Sequence, residues 1–161
     1  MGIEDLPDDA VLRVCPCDPP LDATAAADLC TAIDKLLTQF VREGSVQAAA
    51  CTSAANGAVV LIAWQESGEP LSGCRKDKLE KVLAAHERDG RQLLAAPPVV
   101  LARDGAASCH SLGAVKSLAA VGAINADTLV WDTTLQRLGD WRERGETSVA
   151  ALPWLARRVL A

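Results

Sequence analysis

The chain has no tyrosine, and only one phenylalanine and four tryptophans stand among its 161 residues. Half of the residues are hydrophobic, so the core must be built from Ala, Val and Leu. So few aromatic rings leave little on which nucleobases could stack. A basic excess is missing as well: 16 Lys and Arg against 21 Asp and Glu give a net charge of −5. That balance argues against a dedicated nucleic-acid or anionic-membrane binder, which carries a basic face. No apolar run reaches bilayer-spanning length. The N-terminal Met1-Gly-Ile-Glu-Asp-Leu-Pro-Asp-Asp lacks the charged and then apolar regions of a secretory signal. A cytoplasmic location is therefore expected.

The six cysteines, Cys15, Cys17, Cys30, Cys51, Cys74 and Cys109, are unevenly set inside apparent helices and strands. This placement fits reduced thiols better than a disulfide framework. The chain is long enough to bury a real core without a staple.

Along the chain, Val11-Leu-Arg-Val-Cys15 is a strand-like run that ends at Pro16. Asp22 then opens a helix whose Leu29, Ile33, Leu36, Leu37 and Phe40 recur at spacings of three and four before Gly44 stops the pattern. Asn56-Gly57 lies between two apolar runs, the strongest short hairpin signal. Ser72 starts a second helix that buries Leu79, Val82, Leu83 and His86 on one face, and Val99-Val-Leu-Ala102 reads as a fourth strand. The order β-α-β-β-α-β is that of a ferredoxin-like sandwich, an α+β fold with two helices on one face of an antiparallel sheet. Residues 1–105 form this layer, and residues 106–161, with a helix capped by Ser111 and a strand at Thr128-Leu-Val-Trp131, form a helix-strand extension packed on it.

The chemistry concentrates at Ser72-Gly73-Cys74-Arg75-Lys76-Asp77. A cysteine in the first turn of a helix meets exposed backbone N–H groups, and Arg75 and Lys76 add positive charge beside it, conditions that favour thiolate. Ser72, Gly73, Arg75 and Lys76 are accordingly candidate anion ligands and Cys74 a candidate nucleophile. The same residues also make an ordinary helix start, and free cysteine often serves only as packing. A nucleophilic Cys74 needs a base. His86 lies too far along the same helix, which leaves His110, read as part of a Ser-rich loop, as the only partner for a catalytic dyad. Cys15-Pro16-Cys17 with Cys109-His110 offers soft metal ligands, but the spacing matches no zinc pattern, so neither metal nor cofactor is expected.

Trp131, Trp141 and Trp154, with Arg157 close to the last of them, are candidate partner-binding residues, because tryptophan is enriched at binding hot spots. Alternatively the tryptophans seal the C-terminal unit against the sheet. On this reading Trp131 and Trp154 are structural, while Trp141, set among Asp140, Arg142, Glu143 and Arg144, faces outward.

Two resemblances accompany these readings. The stretch Leu112 to Trp141, with a short helix, Gly-x-Ile, Asp-Thr-Leu-Val-Trp and a later Trp, resembles the second half of GYF-type adaptor modules, which implies a peptide-docking groove framed by aromatic residues. Across the whole chain, the Ser72-Gly73-Cys74 junction, the Asn125-to-Leu135 segment and the terminal Trp154-x-x-Arg157 resemble a family of uncharacterised bacterial proteins of about this length. Its members are often labelled ABC-transporter ATPase. This chain has no Gly-x-x-x-x-Gly-Lys-Ser/Thr loop to hold phosphates, so the label has no chemical support here. The family motif continues Ser-Gly-Cys with Ser-Ile-Asp, whereas Arg75-Lys76-Asp77 follow here. The sequence therefore leads to a non-enzymatic protein-binding or adaptor module, with a thiol-dependent or anion-binding small enzyme centred on Cys74 as the alternative.

Overall fold

The computed structural model describes residues 2–160. The protein is α+β, with five α-helices and two antiparallel sheets among those residues. Strand β1 (Val11–Pro16) is followed by helix α1 (Ala23–Arg42). The Asp22 carboxylate caps α1 by accepting from the Ala25 N–H at 2.7 Å, and Leu29, Ile33, Leu37 and Phe40 form its buried stripe. The chain leaves α1 through Gly44 at φ +72°. Strands β2 (Val46–Ala54) and β3 (Val59–Glu66) pair antiparallel around the expected hairpin tip, where Ala55 and Asn56 both take φ +52°. Helix α2 (Gly73–Ala85) starts at Ser72, whose hydroxyl accepts from the Arg75 N–H at 3.3 Å.

The first sheet has the order β1-β3-β2, with β3 antiparallel to both neighbours. The expected fourth strand forms as β4 (Val99–Arg103) but pairs elsewhere. It lies between β5 (Ala106–His110) and β6 (Leu129–Trp131) in a second sheet of order β5-β4-β6-β7, in which β7 is Glu146–Ser148. Local geometry explains the difference. Arg103 pairs with Ala106, so Asp104-Gly105 is a two-residue hairpin turn with φ +52° and +74°, which joins β5 to β4 at once. Strand β6 takes the other edge of β4, so neither edge is left for β1. The edge of β1 is met by Gln136 to Leu138: Leu12 N–H donates to the Gln136 carbonyl and Leu138 N–H to the Ala10 carbonyl, each at 3.0 Å. The boundary expected between residues 105 and 106 falls inside the β4–β5 hairpin.

Three helices complete the fold: α3 (Leu112–Ala120), α4 (Leu138–Arg144) and α5 (Pro153–Val159). Alternation along β3 shows how the layers stack. Val60, Ile62 and Trp64 pack with α1 and α2, while Val59, Leu61 and Ala63 pack with Val100, Ala107 and Cys109 of the second sheet. The opposite face of the second sheet, Val99, Leu101 and Val130, is covered by Val115 of α3 and by Leu155 and Val159 of α5. The order is thus helices, sheet, sheet, helices, and both sheets are buried on both faces. Among the described residues no helix is long and apolar enough to cross a membrane.

Candidate functional site

Arg13 projects from β1 onto the face covered by the helices, as the two-residue period from Val11 to Cys15 dictates. There it forms an ion pair with Glu80 of α2. Lys76, one turn earlier on α2, and Arg137, which bridges to Val11 at the edge of β1, stand beside this pair. Together with Trp64 of β3 they line an open groove of about 360 Å³. Arg137 donates to the Asp9 carbonyl at 3.1 Å, and among the described residues no carboxylate pairs with Lys76. Trp64 is only 4% exposed, yet its indole N–H has no hydrogen-bond partner among the described residues. A buried donor left unpaired costs about 1–3 kcal/mol, so each such group calls for an explanation. A groove with an apolar floor and converging polar groups is the arrangement expected of a binding site.

The Ser72–Lys76 turn does not gather its four candidate anion ligands at one point. The Ser72 hydroxyl serves as the helix cap and also accepts from the Arg75 guanidinium at 3.4 Å. Arg75 is paired with Glu43 at 3.1 Å, and Gln39 with Arg75 holds the Glu43 carboxyl below the usual carboxylate range. Ser72 and Arg75 line a separate groove with Gly44 and Ser67, whereas Lys76 alone belongs to the groove at Trp64. Gly73 has open space around it.

Cys74 is exposed in the first turn of α2. His110 ends strand β5 instead of lying in a loop, and its Nε2 is 2.7 Å from the Ser108 hydroxyl. Among the described residues no hydrogen bond joins Cys74 to His110. Cys15, Cys17 and Cys109 are buried; Cys17 donates to the Cys15 carbonyl at 3.4 Å and Cys109 to the Cys17 carbonyl at 3.2 Å. Burial pushes the Cys15 and Cys109 thiols up to about 11 and the Cys17 thiol higher still. Cys30 and Cys51 are half-buried. Because alkylation requires access, exposed Cys74 should react well ahead of buried Cys15, Cys17 and Cys109 in timed iodoacetamide labelling with peptide mapping. Labelling of Cys74 as slow as that of Cys17 would overturn this order.

The three candidate tryptophans divide between two cores. Trp131 stacks on Trp141 with ring centroids 5.3 Å apart and an interplanar angle of 21°, and both pack between the sheets. Trp141 is therefore half-buried, and does not face freely outward as its charged neighbours led us to expect. Trp154, on α5, packs against the cluster that includes Val115 of α3, while Arg157 is exposed on the same helix. The three rings do not share one surface.

Sequence reasoning missed Arg13, Trp64, Glu80 and Arg137. One signal was present, an arginine on the Val11–Cys15 face, where a core residue would stand. The convergence of β1, β3, α2 and the Gln136–Leu138 edge is a tertiary fact that no local pattern carries. Compared with protein-family models, with curated proteins and with solved structures, the chain matches none.

Proposed function

We propose that the protein is a non-enzymatic binding module that takes an acidic segment of a partner protein in the groove between β1 and α2. The observation that carries this reading is that Lys76 stands with Arg13 and Arg137 in one groove and that among the described residues no carboxylate pairs with Lys76. Three cationic side chains against one carboxylate give the groove a local positive excess on a chain that is acidic as a whole. A carboxylate seated there would pair with Lys76 in a partly desolvated setting, where such bonds are strongest. The groove is open to solvent, which suits a segment of another chain better than a ligand that must be enclosed. The scaffold belongs to the same proposal. The β1-α1-β2-β3-α2 unit is a ferredoxin-like arrangement whose fourth edge is supplied by Gln136 to Leu138, within the bacterial family and cytoplasmic setting that the sequence resembles.

The test is a titration with a short polyglutamate peptide, followed by the indole N–H resonances and assigned with Trp64→Phe. We expect the Trp64 resonance to move saturably, and Lys76→Glu to weaken binding about tenfold, the equivalent of about 1.4 kcal/mol. A Trp64 resonance unmoved at high peptide concentration, or moved equally by a polylysine peptide, would overturn the proposal.

A further inference from the structure

Cys30 on α1 and Cys51 on β2 lie 21 residues apart in sequence, yet their sulfurs are 3.5 Å apart, with the Cys51 thiol donating to Cys30. Both side chains are half-buried, so neither solvent nor a small oxidant is shut out. Cys51 also lines an open depression of about 390 Å³ together with Asp34 and Thr38, which gives access from the α1 side. We propose that Cys30 and Cys51 form a peroxide-reactive dithiol, a modification site that closes reversibly to a disulfide between α1 and β2.

The geometry assigns the roles. As acceptor of the Cys51 S–H, Cys30 is the sulfur on which negative charge is stabilised. The hydrogen bond from Cys51 lowers its pKa, while the same bond and then burial push the Cys51 thiol up. Cys30 is thus the attacking thiolate and Cys51 the resolving thiol. In the first step the Cys30 thiolate attacks one oxygen of hydrogen peroxide and the O–O bond breaks. Hydroxide leaves and takes a proton to become water, and Cys30 becomes a sulfenic acid by giving two electrons to the peroxide. In the second step Cys51 loses its proton and attacks the Cys30 sulfur; the S–O bond breaks and a second hydroxide leaves as water. Two thiols and one peroxide thereby yield one disulfide and two waters. Joining the sulfurs requires their separation to fall from 3.5 Å to about 2.05 Å.

The other thiols are differently engaged. Cys17 and Cys109 donate to backbone carbonyls, and Cys74 is exposed on α2. All six are free in this structure, which is the reduced state of the proposed site. None of these residues belongs to the groove at Trp64, so the two proposals stand or fall separately.

The experiment treats the full chain with hydrogen peroxide and maps the peptides without reduction. The expected product is a Cys30–Cys51 cross-linked peptide pair lighter by two hydrogens, which a dithiol reductant restores. In Cys51→Ser the oxidation should stop at a sulfenic acid on Cys30, trapped by dimedone, whereas Cys30→Ser should leave Cys51 unoxidised under the same exposure. Oxidation of Cys74 with no Cys30–Cys51 linkage in the wild-type chain would overturn the proposal, as would a cross-link of either cysteine to another thiol. Because the wild-type mapping decides the matter alone, poor folding of a variant would not shield the idea.

Discussion

Trp131→Ala and Trp141→Ala are each expected to lower the stability of the protein by about 3 kcal/mol, the low end of the range for truncating a large aromatic packed against a core. Either loss is a large share of the 5–15 kcal/mol that typically separates folded from unfolded domains. The reason is shared: the two rings stack at 5.3 Å and pack together against the core between the sheets. Gly145 belongs to the same unit, since a Cβ there would come within 2.9 Å of the Trp141 ring. A stacked pair contributes about 0.5–1.5 kcal/mol beyond its burial, so the double variant should cost less than the sum of the singles by about that amount. Urea unfolding of the four proteins measures it. If Trp131→Ala leaves the midpoint unchanged while capture of a partner is lost, the pair is a recognition surface and the aromatic adaptor reading returns.

Trp141 also shows where sequence patterns lose their force. Asp140, Arg142, Glu143 and Arg144 give it an exposed neighbourhood in sequence, yet seven residues of α4 are enough to turn the ring back onto Trp131. The same helix sets Arg142 against the N-terminal segment. Its guanidinium pairs with Asp8 at 2.7 Å and donates to the carbonyls of Ile3 and Leu6 at 3.0 and 2.8 Å, which ties the N-terminal segment to α4. Contacts between the two ends of a chain leave no periodic trace in either.

What was legible is what local chemistry decides. The spacing from Leu29 to Phe40, the caps at Asp22, Ser72 and Ser111, and the Asn56-Gly57 tip each specify an element, and each element formed. The partner of β4 was not decided by its own residues, because Val99-Val-Leu suits any buried strand position. Asp104-Gly105 did carry the answer, as a two-residue hairpin signal, but Ala106-Ala-Ser-Cys-His110 has too little β-branched or aromatic character to read as the second strand. Likewise β7 and α5, at three and seven residues, are too short for periodicity to register. The candidate site follows the same division. Lys76 was found through its motif, while Trp64 and Arg137 acquired meaning only when the fold set them beside it.

Gly57→Ala is expected to cost about 3 kcal/mol or more, while Gly44→Ala, at a nearly matched backbone angle, should cost only about 1–2 kcal/mol. Both glycines sit at positive φ, +86° and +72°, where an L-residue pays about 1–2 kcal/mol for crowding its Cβ against the backbone. They differ in what surrounds them. A Cβ on Gly44 meets nothing within 4 Å, whereas one on Gly57 runs into the backbone carbonyl of Leu21. No rotamer change relieves that contact, so the segment before α1 must move. That segment is held from both sides, because Leu21 N–H donates to the Gly57 carbonyl at 2.8 Å and the Leu21 side chain is buried in the core under α1 and α2. Overpacking against fixed neighbours adds about 1–3 kcal/mol, which sets the difference between the two variants. Thermal unfolding of both proteins reads that difference directly, with the intrinsic backbone penalty common to the pair. Equal losses would mean that the hairpin tip does not lock the start of α1, and that the β2–β3 turn and the helix layer are coupled only through the sheet.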